Sequence, residues 1–492
     1  MNKGDKKLVN KTNQTAWVAL SSGCSFIFVL LSSVILSRLL SQGDYGTYKQ
    51  VMYVYSTLLG LFTLGLPSAY AYFIPHESEN STRSLVGKIE LLFWILGGIF
   101  SLFLYLGASY ISILLNNEEL ADAIAVFSVV PFFLLPTMGI ESVLACHGKA
   151  KLIALYNTIT KACMLFTVTV PVLLYRGGCE TALKGFVVAS LVNLITGQIL
   201  KYIVLNKGKK RSEVSYRDIL NFSLPLLFAN IWGMIVNSSD QFFLSRYFGR
   251  DEFAIFSNGA IELPIVGMVV GACSIVLSPV YAKLRNKGQD IKTEVYRLWL
   301  SVFEKSALIV YPFLIFTIIF SDFMVVSLFG EGYEKSSSYY AIKTIKYFLH
   351  VMTFGPLLIN SGKVKLYSRA FMVSAFATVI TTYIIVNNCD SPLAIPLVTT
   401  VIRIVTIMYF LYLVAKYLSV KIYMLFPWKR IAQISIIALI VSVILKIAVE
   451  CIGFNEGIIS FALLILIFCV LYMILAVFFK LPYFMILKTA IK

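Results

Sequence analysis

The sequence predicts an all-α polytopic membrane protein built from two similar lobes and a short extension. Three observations carry that prediction. Of 492 residues, 59% are hydrophobic and only 14% are charged, whereas soluble domains carry about 25% charged residues. Apolar runs of about 20 residues, long enough to cross a bilayer, recur between charged or turn-rich breaks. The chain also echoes itself. LSRLLSQGDYGTY at 36–48 returns as LSRYFGRDEFAIF at 244–256, and GKAKL at 148–152 returns as GKVKL at 362–366. The two offsets, 208 and 214 residues, nearly agree. Two independent anchors at almost one spacing argue for an internal repeat, the mark of many transporters.

Taken in order, about fourteen spans follow: 15–40, 48–74, 85–110, 120–144, 152–175, 181–205, 218–248, 253–281, 299–320, 340–360, 366–386, 392–415, 431–449 and 457–479. The repeat divides them into an N-terminal six-helix lobe (1–205), a basic linker (206–217, NKGKKRSEVSYR), a C-terminal six-helix lobe (218–415) and two additional helices with a short tail (416–492). Six spans per lobe give both lobes the same orientation, related by an axis along the membrane normal.

Charge sets that orientation. With the N-terminus inside, inner segments hold about 29 basic residues and outer ones about 7. Both termini are therefore expected in the cytoplasm. The net charge of +17 follows from this asymmetry and not from a nucleic-acid surface. The eight cysteines are scattered, without CxxC or a Cys/His cluster, so no metal or redox site is expected. Cys179, Cys389 and Cys451 fall at outer ends, which leaves a disulfide among them open. No GxxxxGK[ST] loop is present, so the chain is not expected to hydrolyse ATP. The longest outer loop, 321–339, is too short to fold as a domain.

The turn Leu-Ser-Arg-Leu-Leu-x-x-x-Asp-Tyr-Gly-x-Tyr resembles that of Wzx-type oligosaccharide flippases, in the multidrug/oligosaccharidyl-lipid/polysaccharide (MOP) superfamily. So do Gly65-Leu66-Pro67, Leu224-Pro225 and LFGEGY at 328–333. The resemblance covers roughly residues 15–415 and rests on the order and repetition of these motifs. It implies two lobes around a central cavity, with no bond made or broken. It also implies transfer of a lipid-pyrophosphate-linked sugar, of the undecaprenyl type, from the inner to the outer leaflet of a bacterial cytoplasmic membrane. Polysaccharide or O-antigen (lipopolysaccharide) biosynthesis would be the setting, with membrane lipids and other polysaccharide-assembly proteins as partners. In such proteins the last two spans are a variable addition.

Polar residues within spans name the candidate site, because they usually face a cavity or another helix. The seventh span carries Ser223, Asn230, Asn237 and Gln241 in one stripe; the second carries Lys49. Lys161, Lys346 and Arg403 are cations deep in three different spans. An anionic pyrophosphate needs such cations, and the Asn and Gln amides would hydrogen-bond its sugars. Lys161 would either line the cavity or pair with Glu141. His350 would be a helix contact or a proton relay. Arg38 and Arg246, at outer helix ends, would snorkel, and Glu304–Lys305 would be structural. Asp240 and Glu262 are the carboxylates placed to couple transport to H⁺ or Na⁺; no other cofactor is implied. Asn193 is the repeat mate of Arg403, 210 residues earlier. Two rival readings differ in polarity and chemistry. A multidrug or toxin cation antiporter would need a net acidic cavity, for which Glu141, Asp240 and Glu262 are available. A membrane enzyme would need a catalytic constellation on a large outer loop, and none is visible.

Overall fold

The computed structural model describes residues 23–205, 210–284, 290–352 and 354–483. The start of the first predicted span, linker residues 206–209 and the end of the tail lie outside them. Every regular element among the described residues is helical. Apolar side chains at helical period explain this. Each helix buries one stripe against its neighbours and leaves another apolar stripe outward, as a bilayer permits.

The chain divides into two compact units, residues 1–254 and 255–492. Unit 1 contains α1 (Gly23–Leu39), α2 (Gln42–Phe62), α3 (Pro67–Phe73), α4 (Thr82–Leu114), α5 (Leu120–Phe127), α6 (Val130–Leu134), α7 (Ile140–Cys146), α8 (Ala150–Tyr175), α9 (Cys179–Val204) and most of α10 (Tyr216–Gly259). The predicted second span is broken at Gly65-Leu66-Pro67, between α2 and α3. Ser41 caps α2 by accepting from the Asp44 amide at 3.1 Å. The Asp44 carboxylate in turn accepts the Cys179 amide at 3.2 Å, which ties the α8–α9 connection to the start of α2.

Unit 2 contains the end of α10, α11 (Pro264–Leu284), α12 (Asp290–Ile319), α13 (Ser321–Phe329), α14 (Ser336–Ile345), α15 (Tyr347–His350), α16 (Phe354–Asn360), α17 (Val364–Val386), α18 (Ala394–Leu418), α19 (Trp428–Ile452) and α20 (Ile458–Phe478). α19 buries Ile434, Ile437, Ala438, Val441 and Leu445 in one stripe, packs on α12, and exposes Ile436, Ile440, Ile444 and Ile447 on the other side. Ring contacts hold α20 to α12 as well: Phe316 of α12 stacks on Phe468 of α20 at 4.5 Å.

Ten helices among the described residues are long and apolar enough to span a membrane, or up to eleven if the bent pair in α10 counts as one span. The predicted fourteen is not reached, for local reasons. The first span is described only from Gly23, as a shorter apolar helix. The predicted span 340–360 is divided among α14, α15 and α16. All eight cysteines are free thiols, so the outer-end disulfide is not formed.

The second sequence echo has the same backbone in both copies. Gly148 and Gly362 take φ of +68° and +78°, a left-handed conformation that glycine adopts without a Cβ clash. Behind them, Lys149 N donates to Leu144 O and Lys363 N to Leu358 O, each at 2.9 Å. This is one Schellman-type helix stop used twice, and α8 and α17 begin two residues after the glycines.

Candidate functional site

In unit 2, the two cations Lys346 and Arg403 come to one neighbourhood. Arg403 lies on α18 with its guanidinium over the Phe371 ring of α17, 5.3 Å from the centroid. Its Nη1 is buried and has no hydrogen-bond partner. Lys346, at the end of α14, places Nζ 4.8 Å from the Tyr347 ring centroid. His350 of α15 is within electrostatic reach of Arg403, Lys346 and Glu262, and its Nδ1 is also buried without a partner. Tyr347 is within electrostatic reach of both Glu262 and Arg403.

Aromatic rings wall this cluster. Phe410 packs on Tyr367 at 4.7 Å, on Phe354 at 5.1 Å and on Phe371 at 5.2 Å, and His350 meets Phe354 edge-on at 5.8 Å. The rings keep Arg403 and His350 in place while offering them few acceptors. A buried polar atom without a partner costs about 1–3 kcal/mol. Two of them, Arg403 Nη1 and His350 Nδ1, lie in one neighbourhood with Lys346 and Glu262. Arginine suits a phosphate, since its planar fork donates two parallel hydrogen bonds.

Unit 1 answers differently at the matching position. Asn193 of α9 accepts the Tyr156 hydroxyl of α8, a neutral pair where α17–α18 carry Arg403 over Phe371. Lys161, on α8, is half-buried and within electrostatic reach of Glu141. Glu141 also accepts the Asn157 amide at 2.9 Å. Lys161 thus lies beside an acidic partner, which the guanidinium of Arg403 does not meet as an ion pair. Lys49 donates to Ser33 at 3.1 Å and sits 5.1 Å from the Tyr45 ring centroid. Along α10, Asn230 and Asn237 are exposed, Gln241 is half-buried and Asp240 is buried. Asp240 accepts the Gln241 amide at 3.0 Å. Exposed amides within an apolar span are costly against hydrocarbon, so this stripe needs a watered or polar surrounding.

The two copies of the Leu-Ser-Arg turn meet within unit 1. A Cβ on Gly46 would lie 2.1 Å from the Arg250 carbonyl oxygen, so only glycine allows this approach. At Gly43 the nearest atoms are Arg250 Nε and Asp251 Oδ1, 3.0 and 3.2 Å from where a Cβ would stand. Arg250 pairs with Glu119. Arg246 donates to the Ile113 and Leu114 carbonyls at 2.6 and 3.0 Å; it closes the C-terminus of α4 rather than snorkelling, where a cation also meets the helix dipole. A buried amide chain lies just below. Asn117 donates to Gln50 at 2.5 Å and to Thr47 at 3.0 Å, and Gln50 donates to Ser245 at 2.7 Å.

Several of these residues escaped the sequence reading. Gln50 and Asn117 carry no periodic signal. Tyr367 and Phe371 look like ordinary apolar positions, although their spacing of four residues puts them on one face. Glu304, read as structural, pairs with Arg430 at 3.1 Å.

A family profile described as "Polysaccharide biosynthesis protein" matches residues 35–338. The chain belongs to the polysaccharide biosynthesis protein family. No curated protein matches the sequence. Among solved structures, the chain is similar to the lipid II flippase MurJ in an inward closed conformation. That match has 16% identity and a TM-score of 0.71, over 94% of this chain and 98% of that one. It is also similar to an inward-facing multidrug resistance MATE family transporter of the MOP superfamily, with 15% identity and a TM-score of 0.64, over 80% and 94%. A MOP superfamily transporter from Pyrococcus furiosus matches at 15% identity and a TM-score of 0.58, over 83% and 96%. At these identities the likeness is one of fold. This family member is thus a multi-pass membrane protein with the fold of MOP transporters, which agrees with the flippase resemblance read from its motifs.

Proposed function

We propose that this protein is a flippase that carries a lipid-pyrophosphate-linked oligosaccharide, of the undecaprenyl type, from the inner to the outer leaflet of a bacterial cytoplasmic membrane. It works by alternating access, with both termini in the cytoplasm, in the assembly of a cell-surface polysaccharide. The observation that carries this reading is Arg403, half-buried within α18, whose Nη1 is buried and has no hydrogen-bond partner. An unpaired cation in a membrane span is unfavourable by about 2.5–3.5 kcal/mol even on insertion scales. A guest phosphate offsets that cost; a cationic drug would add to it. The polarity of the cluster therefore favours a flippase over a cation antiporter. Lys346 adds a mobile positive charge beside Arg403. Within unit 1, Lys161, Lys49, Asn230, Asn237 and Gln241 are the further polar groups proposed to meet the substrate, and Asp240 and Glu262 are the carboxylates proposed for coupling to H⁺ or Na⁺.

Reconstitution tests the reading. Vesicles containing the purified protein should move a fluorescent undecaprenyl-pyrophosphate oligosaccharide between leaflets, measured by quenching the outer leaflet. Transfer no faster than in protein-free vesicles, for glycans drawn from several surface polysaccharides, would contradict it. Accelerated export of an organic cation instead would favour the antiporter.

A further inference from the structure

The strongest feature outside the Arg403 cluster is a groove of about 480 Å³ between α17 and α18. Leu366, Val373 and Ala377 line it from one helix and Val401 and Val405 from the other. Of its three hydroxyl-bearing members, Ser374 and Thr406 bond each other at 2.9 Å, and Tyr409 is exposed beside them. The lining is hydrocarbon, and it opens outward: Val373 and Val405 are each 62% exposed.

One end differs. Arg369 lines the groove, is exposed, and makes no ion pair among the described residues. It lies five residues inside α17, or about 7.5 Å from the start of the helix. Lys365, one turn earlier on the same face, and Lys416, near the end of α18, are also exposed. Neither Arg403 nor Phe371, the ring it covers, lines the groove, and Phe371 is turned about 200° from Arg369 around α17. The groove is therefore separate from the cationic cluster.

We propose that this groove is a binding site for an anionic glycerophospholipid. One acyl chain lies along Val373, Ala377 and Val405, and the phosphate is held by Arg369 with Lys365 and Lys416 nearby. A chain-shaped apolar groove that ends in basic side chains near a helix end matches the two chemistries of such a lipid. The site does not depend on what the protein transports.

Native mass spectrometry of the detergent-solubilised full chain tests it, with phosphatidylglycerol and phosphatidylcholine of identical acyl chains as probes. Wild-type protein should retain phosphatidylglycerol preferentially. Arg369→Gln should weaken phosphatidylglycerol binding about fivefold and bring it near phosphatidylcholine. Val373→Trp, at an exposed position that leaves the helix core intact, should fill the groove and reduce both lipids. Ala370→Trp should do the same from the adjacent turn. Excess inorganic phosphate should not displace the lipid. Unchanged phosphatidylglycerol retention in Arg369→Gln and Val373→Trp would overturn the proposal. So would displacement by inorganic phosphate, which would mark a free-anion site instead.

Discussion

At the scale of single residues, burial and partners decide which charges are structural. Lys201 is 3% exposed and lies 3.4 Å from Glu90. It also donates to the Pro136 carbonyl at 2.5 Å, while Gln198 donates to the other oxygen of Glu90. This pair holds α4 and α9 to the broken α6–α7 stretch. Removing one member leaves the other charge buried, at a cost of about 3–5 kcal/mol. Lys201→Ala should therefore lower the melting temperature and the folded yield, and Lys201→Met with Glu90→Leu should recover most of the loss. A single variant as stable as wild type would refute the structural role. The sequence shows Lys201 only as one more basic residue at an inner end, because its partner is 111 residues earlier. Arg403 was more legible: its own helix holds no acidic residue, so a mid-span cation stood out. What could not be read was the approach of Tyr347 to Glu262, which lie 85 residues apart in the chain.

Glu456 gives a pH prediction at the same scale. Partial burial, followed by the neighbouring Glu331, Glu334 and Asp322 carboxylates, raises its carboxyl above the ordinary value. The folded state then holds this proton more tightly than the unfolded state. Stability should fall as pH rises from the ordinary carboxylate range through the raised value. Glu456→Gln should flatten that part of the pH–melting curve, and modestly, since the residue is mostly exposed. An identical curve for wild type and variant would remove Glu456 from the account.

At the scale of elements, two junctions matter. The linker end is clamped to unit 1. Ser212 and Ser81 donate to Glu77, and Lys88 donates to the Ser212 and Val214 carbonyls at 3.0 and 2.6 Å. Burial would raise the Glu77 carboxyl, but these hydrogen bonds and the charges of Lys88 and Lys210 outweigh it and hold it low. Its contribution is present above the ordinary carboxylate range and is lost as pH falls through the depressed value. The basic run was visible in the sequence as a linker; its anchorage was not, because Glu77 and Ser81 lie in an unremarkable polar turn.

The second junction is the meeting of the two Leu-Ser-Arg turns. The repeat itself was plain from the letters, and so was the turn at Gly43–Asp44. The backbone approach of Gly46 to Arg250 was not, since it joins residues about 200 positions apart. Cysteines at positions 43 and 251 should oxidise to a disulfide readily, because a Cβ at 43 would stand 3.2 Å from the Asp251 carboxylate. If these turns must part during each cycle, the cross-linked protein should fold normally and stop transporting, and reduction should restore transport. Full turnover with a verified cross-link would exclude this junction as a gate.

At the scale of the whole molecule, the all-helical membrane fold and its internal repeat were legible because apolar runs and repeated turns are local features. The number of spans was not, because hydropathy cannot see the bend within α10 or the division of 340–360 into three short helices. The orientation proposed here rests on basic residues alone. Cysteine labelling at Gln42 and at Lys209 should reach opposite sides of the membrane; labelling of both from one side would contradict the layout.

The central claim is that Arg403 holds the anionic group of the transported lipid. Its most direct test is transport per folded molecule in a charge series at that one position. Arg403→Lys should keep partial activity, because a point charge replaces a fork. Arg403→Ala should lose most transport, and Arg403→Glu should be worse still by repelling the phosphate. Protein abundance should be unchanged across the series. Alanine variants of Lys346 and Lys161 should show smaller losses. Normal transport per molecule in Arg403→Ala, or a loss of folded protein that fully accounts for lost export, would contradict the claim.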